Sequence, residues 1–234
     1  MGKSFDIMLV FDFIPKLIGY LGVTFEILLY SLFVGSIVGL LLAVIRVAQL
    51  PILKQLVTLF ISFVRGTPIL ILLFLVYYGI PELLKLVHID VSRVEALIFV
   101  IITYSISNAA SFTEIFRGAL LAVDRGQLEA AQSIGMSSWQ SFRRIIFPQA
   151  FRIALPNIAN TVIGSLKDTS LAFTIGVMDI MGRGETLIAS TMHGLEVYIS
   201  LSIIYYVIVL ILERVFKWFE RRFSRHVIQS AQTA

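Results

Sequence analysis

The stretch "LGVTFEILLYSLFVGSIVGLLLAVI", Leu21–Ile45, holds one carboxylate, Glu26, near its start. About 20 mostly apolar residues suffice to cross a bilayer. Inside lipid the backbone must satisfy its own hydrogen bonds, so a crossing segment of this kind is a helix. The rest of the chain agrees with this start. Of 234 residues, 58% are hydrophobic and 15% charged, with a mean hydropathy of +0.90. This composition points to an all-α integral membrane protein, read as one membrane domain over residues 1–234. The run is too long for a cleaved signal peptide, and no small-residue cleavage site closes it.

Further spans are expected at 56–80, 94–116, 149–166 and 197–212, making five with 21–45. The second contains "RGTP" (Arg65–Pro68), where the helix is expected to open locally, and Pro156 should kink the fourth. Five spans put the termini on opposite sides. One set of connections carries Arg46, Lys54, Arg117, Arg125, Arg143, Arg144, Arg152 and the basic tail from Arg214 to Arg225. The other has only Lys3, Lys16, Lys85, Arg93, Arg183 and Lys167. The richer set belongs in the cytoplasm, which places the N-terminus outside and the C-terminus inside. The net charge of +4 therefore reads as membrane topology, with no nucleic-acid partner expected. There is no cysteine, which excludes disulfides and thiolate metal sites. His88, His193 and His226 lack ligand spacing and read as loop or tail residues, so no metal is expected.

Residues 124–148 differ from everything around them. Leu128, Ala131, Gly135, Trp139, Phe142 and Ile146 recur at steps of three and four, one apolar face of a helical stretch. Gly135 interrupts it. Asp124 with Gln127, and Ser137 with Gln140, have capping-box spacing, and Pro148 closes the stretch and can open the next helix. The segment thus reads as two short helices with a glycine corner at the cytoplasmic surface. Two roles fit: an interfacial helix held to anionic membrane lipid through Arg143 and Arg144, or a dock for another protein.

The spacing "EAA", three residues, "G", nine residues, "I-x-F-P" resembles the cytoplasmic signature of permease subunits of ABC importers. The matching positions are Glu129, Ala130, Ala131, Gly135, Ile145 and Pro148, with Phe147 in place of the usual leucine. "RGTP" and "KDTSLA" (Lys167–Ala172) resemble the polar amino-acid subgroup of those permeases. The similarity runs from about Leu21 to Arg222. It implies a five-span fold like that of type I importers. It also implies that Glu129, Ala130, Ala131 and Gly135 couple the chain to ATPase subunits. Two such subunits, a second permease chain (identical or related) and an extracellular substrate-binding protein would complete the complex.

Chemistry within the chain itself is not expected. No G-x-x-x-x-G-K phosphate loop occurs, so ATP and Mg would be bound by the partner ATPases and no cofactor by this chain. A secondary transporter usually shows paired repeats, which five spans cannot supply equally. A non-transporting scaffold would not account for polar groups within the spans. Those groups carry the substrate reading. Buried polar groups at membrane depth tend to face a bundle interior, although small ones also serve helix contacts, as Ser105 and Ser111 could. Thr67, Ser107, Asn108, Asp168 and Ser170 are the pathway candidates that the resemblance implies. An acid at Asp168 suits the ammonium of a zwitterion or a cationic side chain, but it could instead cap a helix starting at Thr169. Arg65 could meet a carboxylate or pair within the protein. "GRGE" (Gly182–Glu185) reads as a turn. Cystine, glutamine, arginine and histidine all fit as cargo, with cystine favoured by general similarity.

Overall fold

The computed structural model describes residues 4–48, 50–91 and 93–231, and no strand occurs among them. The helices run in chain order α1 (Ile7–Ile18), α2 (Leu21–Val47), α3 (Pro51–Gly66), α4 (Ile69–Phe74), α5 (Ile80–Lys85) and α6 (Ala96–Leu121). Then come α7 (Arg125–Ser133), α8 (Ser138–Ser141), α9 (Phe147–Asp168), α10 (Ile180–Thr191) and α11 (Gly194–Ala231). A π-helical turn joins α4 to α5 (Leu75–Gly79), another joins α8 to α9 (Phe142–Ile146), and a 3-10 turn (Thr169–Ile175) follows α9. Among the described residues, three helices are long and apolar enough to cross a membrane: Leu21–Val47, Ala96–Leu121 and Gly194–Phe223. The stretch read as the second span is not one straight helix. α3 and the Ile69–Lys85 run meet at 111°, a broken span or a re-entrant pair.

The centre of the fold is the seam between α2 and α6. Ser31, Gly35, Gly39 and Ala43 recur every fourth residue of α2 and are all buried. Helices in lipid gain little from hiding apolar area, so close backbone approach through small residues takes over. A Cβ on Gly35 would stand 2.6 Å from the Asn108 Cβ, and one on Gly39 would stand 2.6 Å from the Phe112 Cβ. The opposite face of α2 carries Leu29, Phe33, Ile37, Leu41 and Val44, all exposed, as a lipid-facing surface requires. A second core joins Phe13 and Leu17 of α1, Leu166 of α9, Ile180 and Leu187 of α10, and Val197 and Leu201 of α11.

Three readings need correction. α1 was not expected, because Asp12, Pro15 and Lys16 break its apolar run; it forms because Val10, Phe13 and Leu17 align on one buried face and Asp6 caps it at Met8 N, 2.9 Å. "GRGE" is no turn but lies inside α10. Gly182 and Gly184 are buried there, where a Cβ would meet the Val177 carbonyl at 2.7 Å and Leu201 Cδ1 at 2.8 Å. Tertiary packing outweighs the intrinsic cost of glycine in a helix, about 1 kcal/mol each. Asp179 caps this helix, accepting from Gly182 N at 2.9 Å, and burial pushes its carboxyl up to about 6. Lastly, Asp168 makes no side-chain cap: the helical run continues through it into Thr169–Ile175.

Candidate functional site

Two polar regions stand out, one between α6 and α9 and one at the α7–α8 corner. In the first, Asn108 is 4% exposed and joins three helices. Its Oδ1 accepts from Ser165 Oγ of α9 at 2.6 Å, and its Nδ2 donates to Ser31 Oγ of α2 at 3.4 Å. Four residues earlier on α6, Tyr104 donates its hydroxyl to the Asp168 carbonyl oxygen at 2.7 Å. That bond holds the end of α9 against α6 and leaves the Asp168 carboxylate itself half-buried and unclaimed by any cap. Ser170, half-buried, donates to the Lys167 carbonyl at 2.7 Å. Ser107 is half-buried beside Asn108. Ser105 Oγ is buried with no partner among the described residues.

Thr67 sits at the break between α3 and α4 in extended geometry (φ −102, ψ 128), and its hydroxyl donates to the Phe63 carbonyl at 2.8 Å. Pro68 cannot extend α3 and forces this opening. The structure therefore brings Asn108, Ser165, Tyr104 and Asp168 together at the α6–α9 junction, with no hydrogen bond drawing Thr67 into that set. Sequence reading missed Ser31, Tyr104 and Ser165. The available signal was the occurrence of isolated hydroxyls within apolar spans, each needing a partner at membrane depth.

In the second region Asp124 caps α7 by accepting from Gly126 N at 2.7 Å, not by a reciprocal box with Gln127. Ser137 does form the full capping box: its Oγ accepts from Gln140 N at 3.3 Å while Gln140 Oε1 accepts from Ser137 N at 2.9 Å. Between the two helices Gly135 has φ +82, the left-handed region that favours glycine. Nothing lies within 4 Å of where its Cβ would be, so backbone conformation and not crowding selects glycine here. Glu129 and Ala130 are exposed, whereas Ala131 is 2% exposed, so its small size serves close approach within the chain. Trp139, also exposed, stacks on Phe142, and Phe142 leads through Phe147 to Phe151 in a row of ring contacts 5.9–6.2 Å apart. Beneath the corner, Ala119 of α6 and Val123, just after it, pack against Ala150 and Ala154 of α9.

A bundle of apolar helices, a broken second stretch, and a capped two-helix corner carrying an outward Glu-Ala pair define a membrane permease component. Residues 35–225 match the family described as the inner membrane component of binding-protein-dependent transport systems, and the chain belongs to that family. It is a multi-pass cell-membrane protein and a transport subunit. It is 51% identical to the L-cystine transport system permease protein TcyL of Bacillus subtilis (strain 168), over 97% of this chain and 95% of that one. It is 32% identical to the glutamine transport system permease protein GlnP of Escherichia coli (strain K12), over 94% and 98%. Among solved structures it resembles an amino acid ABC transporter crystallised with histidines, with a TM-score of 0.82 and 29% identity over 94% of this chain and all of that one.

Proposed function

We propose that the chain is the membrane permease of an ATP-driven importer of a polar amino acid, with L-cystine as the favoured cargo. The observation that carries this reading is the outward-facing corner: Glu129 and Ala130, both exposed, on a capped helix turned by Gly135 at φ +82. A segment ordered by two caps yet exposed is suited to a partner, here a separate ATPase that binds ATP and Mg. Two ATPases, a second permease copy and an extracellular binding protein complete the proposed complex, with five crossings, the N-terminus outside and the C-terminus inside. The 51% identity to a cystine permease supports the choice of cargo.

Competition of unlabelled amino acids against uptake of labelled L-cystine by the reconstituted complex tests the substrate. Cystine itself should compete best, and stronger competition by glutamine or arginine would replace it. The purified chain alone should hydrolyse no ATP. At the α6–α9 junction Asp168→Asn keeps the shape and removes the charge. Losing a charge-assisted hydrogen bond to the cargo costs about 1.5–3 kcal/mol, or roughly 10- to 150-fold in affinity. Uptake should fall by that order with complex yield unchanged, and unaltered uptake would move the ammonium site elsewhere.

A further inference from the structure

α11 carries an apolar ridge along its exposed side. Ile203, Val207, Ile211, Val215, Phe219 and Phe223 recur at every fourth residue, and all six are exposed. The apolar run Gly194–Phe223 has 30 residues and is about 45 Å long, against roughly 30 Å of hydrocarbon in a bilayer. No charge occurs from Val197 to Leu212, which marks the part suited to hydrocarbon. The turns from Glu213 to Phe223 therefore lie at headgroup depth, and the ridge continues through them. In the same turns Trp218, also exposed, meets Phe219 edge-on with ring centroids 4.9 Å apart. Amphipathic rings of this kind favour the headgroup level.

These turns are also basic. Arg214, Arg221 and Arg222 belong to α11, and the ring of Phe223 meets that of Phe151 at 5.4 Å, which brings the start of α9 alongside. Arg152 follows Phe151 directly, and Arg143 and Arg144 lie in the π turn before α9. None of these six arginines enters an ion pair among the described residues. Acids are scarce here. None occurs between Phe142 and Leu166, and past Leu212 the chain has only Glu213, paired with Lys217 at 3.4 Å, and Glu220. Arg152 is half-buried, and its buried Nε has no hydrogen-bond partner among the described residues. A guanidinium N–H in that position calls for an oxygen acceptor, since leaving it unmatched is costly. The planar, permanently charged guanidinium fits the oxygens of a phosphate.

We propose that the start of α9 and the end of α11 form a binding site for an anionic phospholipid. Arg152 and Arg222 hold the headgroup phosphate, and an acyl chain lies along the α11 ridge. A phospholipid matches both halves of the site at the depth where they meet, whereas a free phosphate would leave the ridge uncovered. Net negative charge is favoured because six unpaired arginines stand beside so few acids. The two roles open to residues 124–148 from sequence then fall to different parts of one segment. α7 presents Glu129 and Ala130 to a protein, and the π turn beyond α8 presents Arg143 and Arg144 to lipid. The site needs neither the ATPase nor the cargo of the reading above.

The full-length chain, purified in a non-ionic detergent, is titrated with phosphatidylglycerol and with phosphatidylcholine carrying the same acyl chains. Bound lipid is counted by native mass spectrometry. Phosphatidylglycerol should bind the more tightly. Arg152→Gln with Arg222→Gln should weaken it about 30-fold and leave phosphatidylcholine unchanged, while Arg152→Lys with Arg222→Lys should keep most of the affinity. Lys54→Gln with Arg125→Gln removes the same charge elsewhere and should have little effect. If Arg152→Gln lowers the yield, Arg144→Gln with Arg222→Gln, both exposed, takes its place with the same expectation. Equal affinity for the two lipids, or an equal loss in the Lys54 and Arg125 pair, would overturn the site and leave only diffuse charge. Displacement of the lipid by inorganic phosphate at equal concentration would overturn it in favour of a phosphate site. Should the complex with its ATPase subunits bind no phosphatidylglycerol, the patch is a protein interface and the proposal falls. None of these results touches the permease reading, which rests on the corner and on uptake.

Discussion

The α2–α6 seam and the α7–α8 corner both depend on glycine, for opposite reasons. In the seam Gly35 and Gly39 are there because another helix occupies the space a side chain would need. At the corner Gly135 has open space around it and is there because the backbone turns left-handed. One region is specified by contacts made inside the chain, the other by a shape held ready for contacts outside it. A residue type alone does not reveal which kind of constraint applies, but the surroundings of the missing Cβ do. Stability should therefore depend on the seam and coupling on the corner.

Substitution of Gly39 by leucine should break the comparison most severely. The new side chain meets Phe112 and the backbone of α6, and overpacking of that kind costs about 3 kcal/mol or more. Extracted, monodisperse protein should nearly vanish, and normal yield would mean that the helices are free to separate. Asn108→Leu comes next. It removes the bonds to Ser31 and Ser165 and leaves the Ser165 hydroxyl unmatched inside the bundle, at about 1–3 kcal/mol, while Ser31 keeps its bond to the Leu28 carbonyl. Thermal stability in detergent should fall along with uptake; a loss of uptake at unchanged melting temperature would instead favour direct contact with cargo.

Gly135→Leu should act in the other direction. Holding a non-glycine residue at positive φ costs about 1–2 kcal/mol locally, without any clash. Yield should stay close to normal, while ATPase co-purification and uptake drop together, and a variant that transports normally would remove the corner from coupling. Ser137→Ala should have the smallest effect. It deletes half of a capping box, about 1 kcal/mol on a four-residue helix. A modest slowing of uptake, detectable as a lower maximal rate with the same half-saturation, is expected.

Much of this organisation was legible from the residues. Apolar runs announce α2, the first half of α6 and the start of α11, and the break at Thr67 follows from Pro68. The corner follows from Gly135 and the Ser137–Gln140 spacing, because capping is local chemistry. What escaped was set by distant parts of the chain. Gly182 and Gly184 look like turn residues until Leu201 and the Val177 carbonyl are seen pressing against them. The bonds of Asn108 depend on which helices flank α6, which no local pattern states.

The π-helical turn at Phe142–Ile146 has a mechanical consequence. From Ser138 to Asp168 the helical run has no non-helical residue, with Pro156 inside it. Asp168 and the capped corner are therefore the two ends of one continuous shaft. Tilting or twisting the cytoplasmic end displaces the Asp168 end without any loop to absorb the motion. The extra residue in the π turn is where such a shaft has torsional give, because its wider hydrogen-bond ring is the least regular part of the run.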